Sequence, residues 1–224
     1  MQLEVDSVYK TYGDRVILSD VYLSCTPGEI VAVMGRNGSG KSTLFQIMFG
    51  TLECEYSSVI LNHKSITGKA YKTGSIAYLP QVSFLPLQFT VWQIIKIMVG
   101  KNSNLADDPF IKRILFQKIR ELSGGEIRYL EIRLMLMSKA PFVILDEPYR
   151  GLAPVVIEQI NQYIREAAKT KGIIVSDHDY RSISKVATKI LLLDDGWLHI
   201  PDADDLRKAG YPVTLATFDG HATR

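Results

Sequence analysis

Two stretches of this sequence place groups that handle phosphate and water. "GRNGSGKST", residues 35–43, matches G-x-x-x-x-G-K-[ST] through Gly35, Gly40, Lys41 and Ser42. Glycines in such a loop let backbone N–H groups turn inward on phosphate oxygens, and a following helix N-terminus adds partial positive charge. Gly35, Arg36, Asn37, Gly38, Ser39, Gly40, Lys41, Ser42 and Thr43 are therefore expected to form a nucleotide cradle. In it Lys41 reaches the β- and γ-phosphates of ATP and the Ser42 hydroxyl ligates Mg²⁺. The second stretch, "FVILDEPYRGLAP", ends an apolar run in two acids. Asp146 is expected beside the cradle in a parallel sheet, holding the metal shell, while Glu147 aligns or deprotonates an attacking water.

A third stretch, "ELSGGEIRYLEIRLMLM", contains Ser123 and Glu126 as an S-x-x-E capping box, which on its own marks only a helix start. Gly124 and Gly125 fall in the first turn, where each costs up to about 1 kcal/mol relative to Ala. Glycines kept there at that cost usually permit close backbone approach by something else. A hydroxyl, two bare amides and a helix N-terminus make a second anion site. One nucleotide does not need two such sites from one chain. Two chains placed head-to-tail would offer each nucleotide one cradle and one serine-glycine site.

The elements that must hold these groups are legible in the apolar patterning. "RVILSDVYL", "EIVAVMG", "SVILN", "SIAYL", "FVILD", "GIIVS" and "KILLLDD" are short, β-branched and in several cases continuous, as in strands buried on both faces of a parallel sheet. "PVVIEQINQYIREAAKTKG" predicts a helix from Pro154 to Gly172, and "DDPFIKRILFQKI" another, with acids first and bases last. Early strands followed by alternating helices and strands predict an α/β core with an N-terminal antiparallel β part. Residues from about 84 to 138 read as a small helical lobe inserted in a single domain spanning 1–224. The tail "FDGHATR" is expected to fray.

Bulk composition narrows the classes. With 46% hydrophobic and 22% charged residues the chain is globular rather than disordered. Its net charge of +2 is too balanced to argue for a nucleic-acid surface, and no nucleic-acid partner is expected. Two cysteines without C-x-x-C spacing argue against a disulfide framework and suit a reducing compartment. "MQLEVDSVYK" lacks the apolar stretch of a signal peptide, and no run is long enough to span a bilayer. Any membrane part is expected from another chain.

"LSGGE" between "GRNGSGKST" and "FVILDEP" resembles the ATP-binding subunit of an ABC transporter, over essentially the whole chain. The resemblance implies a P-loop NTPase core, with a parallel sheet flanked by helices, an antiparallel β subdomain and a small helical subdomain. It implies that Tyr12 stacks on adenine and that Gln81 in "AYLPQ" senses Mg²⁺ and links to the transmembrane partner. Leu122, Ser123, Gly124, Gly125 and Glu126 match the signature that meets the γ-phosphate of the opposite subunit. His178 in "VSDHD" matches the switch histidine at the γ-phosphate. Catalysis would then rest on Glu147, His178 and Lys41, with Ser42, Gln81 and Asp146 around the metal. The implied assembly is a homodimer or heterodimer of ATP-binding subunits on separate permease subunits. Its implied place is cytoplasmic, peripheral on the inner face of the membrane.

Three features depart from or qualify that pattern. Glu126 stands where the commonest form has glutamine, and Ala153 where aspartate usually crosses to the opposite subunit. Alanine cannot accept the cross-dimer hydrogen bond, so a working but slow or weakly coupled ATPase is expected. The lobe between Gln81 and Leu122 is short for the family, and its Phe84, Leu85, Phe89 and Trp92 are either local core or a groove for a membrane subunit's helix. "SDHDYRSISKVATKILLLDDGWL" is similar to the branch serving amino-acid importers and lipopolysaccharide extraction, which moves cargo in both directions. The alternative is a membrane-attached ATPase that signals or remodels without transport.

Overall fold

The computed structural model describes residues 1–101 and 103–211; the "FDGHATR" tail lies outside them. An antiparallel sheet is built from β1 (Leu3–Tyr12), β2 (Arg15–Cys25), β4 (Tyr56–Leu61) and β5 (Lys64–Ser65), in the order β2-β1-β4-β5. A six-stranded sheet holds β3 (Ile30–Met34), β6 (Ile76–Leu79), β7 (Phe142–Asp146), β8 (Gly172–Ser176), β9 (Lys189–Asp194) and β10 (Trp197–His199). Its order is β10-β9-β3-β8-β7-β6, parallel throughout except for the β9–β10 hairpin at one edge.

β3, β7 and β8 are buried at every residue, the structural counterpart of their unbroken apolar runs. Alternate residues of β3 feed two cores. Ile30, Ala32 and Met34 pack among the helices α4 (Gly124–Met137), α5 (Pro154–Ala168) and α6 (Tyr180–Ile183). Val31 and Val33 face the antiparallel sheet and α1 (Lys41–Phe49). The sheet is thus covered on both sides, and the loops at the C-terminal ends of its strands are left to form a crevice.

Asp146 ends a buried parallel strand near the cradle, with one strand between them. That strand is β8, which lies between β3 and β7. The neighbour of Asp146 is Ser176, its register partner at the end of β8. β1 lay outside the apolar runs, because its alternation breaks. Leu3, Val5 and Val8 are buried, but the register slips between Val5 and Val8 at Ser7, whose φ is 54°.

Between Gln81 and Ser138 lie α2 (Val91–Met98), α3 (Pro109–Ile114) and α4, with short 3₁₀ turns. The helix expected over "DDPFIKRILFQKI" stops at Ile114. The carbonyls of Leu115 and Gln117 turn instead onto the N–H groups of Trp92 (2.9 Å) and Val91 (3.1 Å), satisfying the open first turn of α2. α4 begins in the lobe and runs onto β6, β7 and α5. Asp108 pins lobe to core, accepting from the hydroxyls of Tyr129 (2.9 Å) and Tyr163 (3.1 Å) and pairing with Arg133 at 3.3 Å. The last helix among the described residues, α7 (Ala203–Lys208), follows β10. Among the described residues, no helix is long and apolar enough to cross a membrane.

Candidate functional site

The cradle is a left-handed path. Gly35, Gly38 and Gly40 have φ of 149°, 80° and 108°. A side chain at Gly40 would also meet Ile17 Cγ2 at 2.9 Å, and one at Gly35 the Leu193 carbonyl at 2.5 Å. Gly40 caps α1 without any side-chain bond, so the first-turn amides of that helix stay available. Lys41 is 6% exposed and donates to the carbonyls of Gly35 (2.7 Å) and Arg36 (2.9 Å). Burial pushes its ammonium pKa down, and the nearby charges of Glu147, Asp146 and Asp177 oppose that shift.

Tyr12, Asn37, Gly38, Gly40, Lys41, Ser42, Thr43, Gln81, Glu147 and His178 all line one open cavity of about 690 Å³. Gly35, Arg36, Ser39 and Asp146 do not line it. Tyr12 is 53% exposed, with the Lys10 ammonium 5.3 Å from its ring centroid. Glu147 has φ 47°, a strained value for a non-glycine residue. Its N–H is held by the Ser176 carbonyl at 2.9 Å, and its Oε2 accepts from Gln81 Nε2 at 2.6 Å. His178 is exposed, with Nδ1 3.6 Å from Asp177 Oδ1. Asp177 is buried, and burial raises its carboxyl above the usual range against the N–H bonds from Asp179 and Tyr149. The Tyr149 bond, 3.1 Å, ties the histidine loop to the loop after Glu147.

Asp146 sits behind the cavity, 1% exposed, accepting from Ser176 Oγ at 2.7 Å and Tyr78 OH at 3.2 Å. The donor set fits a hard cation such as Mg²⁺ that keeps waters and takes phosphate oxygens. Ser42 and Gln81 offer oxygens at the cavity, and Asp146 supplies negative charge beneath. Among the described residues, no group of three or more His, Cys, Asp or Glu stands ready to hold an ion alone.

The serine-glycine element lies elsewhere. Ser123, Gly125 and Glu126 line a second cleft of about 520 Å³ with Arg113, Gly151 and Ala153. The capping box is formed: Ser123 Oγ accepts from the Glu126 N–H at 3.3 Å, and Glu126 Oε2 accepts from the Ser123 N–H at 2.8 Å. The two glycines serve different ends. A Cβ at Gly125 would press on the Gly151 carbonyl at 3.2 Å, while one at Gly124 meets nothing within 4 Å. Leu122 is 8% exposed and belongs to the core.

Two residues at the site had no sequence signal of their own. Arg150 lines both the cradle cavity and the cleft holding Gly124. Arg128 is buried in α4 and donates to the main-chain oxygens of Pro80 (2.8 Å), Asp146 and Glu147 (2.9 Å). Its partner Glu131, 3.4 Å away, accepts from Ser83 Oγ at 2.6 Å and the Phe84 N–H at 3.1 Å. Because α4 also carries Glu126 and Arg133, charge on that helix does not by itself single out Arg128 and Glu131.

Comparison with known proteins agrees with this geometry. The sequence model of the family described as "ABC transporter" matches residues 18–150. The lipopolysaccharide export system ATP-binding protein LptB of Acidithiobacillus ferridurans is 27% identical, over 87% of each chain. The manganese transport system ATP-binding protein MntB of Listeria innocua serovar 6a is 29% identical, over 86% of each. A solved ATP-binding subunit of an ABC transporter superposes with a TM-score of 0.78 at 23% identity, covering 93% of this chain and 92% of its own. With the phosphate loop, the Asp146–Glu147 strand end and the serine-glycine helix start in one fold, the chain belongs to the ABC transporter family, as an ATP-binding subunit.

Proposed function

We propose that this chain hydrolyses ATP at the cavity between the cradle and Glu147, as one half of a head-to-tail pair, and that closure of the pair drives a separate permease. One observation carries the reading. Tyr12, Lys41, Ser42, Gln81, Glu147 and His178 share one cavity, while Ser123 and Gly125 open into another. A second ATP-binding subunit, identical or not, supplies the missing signature to each nucleotide.

Each residue's part follows from its place. Tyr12 offers its exposed ring to adenine. Lys41 exchanges the Gly35 and Arg36 carbonyls for phosphate oxygens. The backbone of residues 35–43 and the open first turn of α1 cradle the β- and γ-phosphates. When bound, Mg²⁺ supplies charge neutralisation at those phosphates, with Ser42, Gln81 and Asp146 holding its shell. Glu147 takes the proton of the attacking water, His178 contacts the γ-phosphate, and ADP and phosphate leave. Ser123, Gly124 and Gly125, with Leu122 behind and Glu126 capping, face the nucleotide of the opposite subunit.

The lobe offers the permease contact. Leu85 is buried and Phe89 packs against the core, but Val82, Phe84 and Leu87 are 74%, 40% and 56% exposed beside Gln81. A membrane subunit's helix seated there would feel Gln81 move. On this reading the chain sits peripherally on the inner face of a membrane, with no nucleic-acid role. The relatives named above serve lipopolysaccharide export and manganese transport, and nothing in this site selects a cargo.

The test is Mg-dependent phosphate release from ATP by the chain co-purified with its permease. Turnover that Glu147→Gln lowers by roughly 10²–10⁴-fold, the range of general-base contributions, is expected. Absence of turnover, or a Glu147→Gln variant as fast as the parent, overturns the reading.

A further inference from the structure

The carbonyl of Gly35 accepts two donors at once. One is Lys41 Nζ at 2.7 Å; the other is the Tyr211 hydroxyl at 3.0 Å, reaching back from beyond α7. The same hydroxyl accepts from the Gly35 N–H at 3.0 Å. Tyr211 is buried, with its ring 5.7 Å from that of Tyr180. Arg36 adds a second tie, donating to the Lys208 carbonyl. The C-terminal segment therefore holds the first two residues of the cradle, at the point where a Cβ on Gly35 would find no room.

We propose that Tyr211 is a positioning residue for nucleotide binding, its hydroxyl holding Gly35 in the phosphate-ready path when Lys41 leaves. This rests on the reading that Lys41 moves onto phosphate oxygens. Without nucleotide, Gly35 O has two donors and Gly35 N–H has one acceptor. With nucleotide, Lys41 is gone and Tyr211 alone satisfies both groups. Loss of the hydroxyl then leaves one buried backbone group unpaired in the free protein and two in the bound one. The difference falls on affinity, because a buried group without a partner is costlier than a bond is worth. Burial raises the phenol pKa, which keeps the donated proton in place.

Isothermal calorimetry with MgADP on the full purified chain tests this, since ADP avoids turnover. Tyr211→Phe keeps the ring and removes only the bridging oxygen. It is expected to weaken MgADP by at least roughly fivefold, the low end of the cost of leaving one more buried backbone group unpaired. In ATP turnover KM rises by a similar factor while kcat stays within about twofold. Tyr180→Phe is the control: its hydroxyl is buried without a hydrogen-bond partner among the described residues, and its removal leaves MgADP affinity unchanged. A Tyr211→Phe affinity within twofold of the parent, or equal losses in both variants, overturns the proposal. A parent that does not bind MgADP overturns the cradle reading as well. Amide exchange at Gly35 in the unmutated chain is independent of any variant. Protection both with and without MgADP is expected, and rapid exchange in the bound state rejects the clamp.

Discussion

Gln81 donates its side-chain amide to the Glu147 carboxylate across 2.6 Å, joining an exposed loop to a residue held at φ 47°. The loop after β6 and the end of β7 are thereby latched at their side chains as well as through Arg128. A hydrogen bond to a charged group is worth roughly 1.5–3 kcal/mol. Gln81→Ala is accordingly expected to lower turnover about tenfold and to raise the Mg²⁺ concentration needed for half-maximal rate. Phosphate release measured across a Mg²⁺ titration checks it; an unaltered Mg²⁺ midpoint counts against the role of Gln81.

Arg128 supports that latch from below. Its guanidinium meets three main-chain oxygens on two loops and leans on Glu131, both groups being buried. Arg128→Met strands the Glu131 charge, a change that typically costs about 3–5 kcal/mol. For a chain of this size that lowers the melting temperature by roughly 10 °C. The double variant with Glu131→Gln should recover part of the loss, because the uncompensated charge is gone. Melting temperatures of the two variants that do not differ would dismiss this account.

Ala153 is the N-cap of α5, ahead of Pro154, and its methyl caps nothing. An aspartate there would accept from the Val155 N–H, since Pro154 has none and the Val156 N–H already bonds the Ala153 carbonyl at 2.9 Å, besides any contact across a dimer. Ala153→Asp is expected to stabilise the chain by about 1 kcal/mol and to raise its melting temperature by roughly 2–4 °C. MgADP affinity should stay unchanged while the rate of ATP turnover shifts. A faster enzyme with no gain in melting temperature would show that the cap does not form.

Cys25 lies at the end of β2 with its thiol sealed, and burial raises its pKa to about 12. Its folded pKa exceeds the ordinary thiol value of 9.0, so neutral Cys25 contributes stability that is complete below pH 9 and lost as pH rises towards about 12. At pH 8 a thiol reagent should count one cysteine, the partly exposed Cys54, in the native chain and two after denaturation. Two fast thiols in the native chain would contradict this burial.

The contrast between local and long-range information is clearest at single residues. The cradle, the strand ending in Asp146 and the capping box at Ser123 are contiguous patterns, with their chemistry and periodicity carried by neighbours in the chain. They could be read directly. β1 escaped because one left-handed residue, Ser7, shifts its alternation. The helix over "DDPFIKRILFQKI" was overestimated because Leu115 and Gln117 give their carbonyls to α2.

The sequence by itself therefore determined the fold class and the local patterns of the glycine loop, the strand ending in two acids and the capping box at Ser123. Each depends on side-chain type, glycine freedom or hydrophobic period within a short window. Only the tertiary structure decided that β8 intervenes between the cradle strand and Asp146, that Gln81 meets Glu147, that Arg128 bridges both loops, and that Tyr211 returns to Gly35. Those pairings join residues far apart in the chain. They arise because burying both faces of the central sheet brings its strand ends and the C-terminal segment to one crevice, where buried backbone groups must find partners.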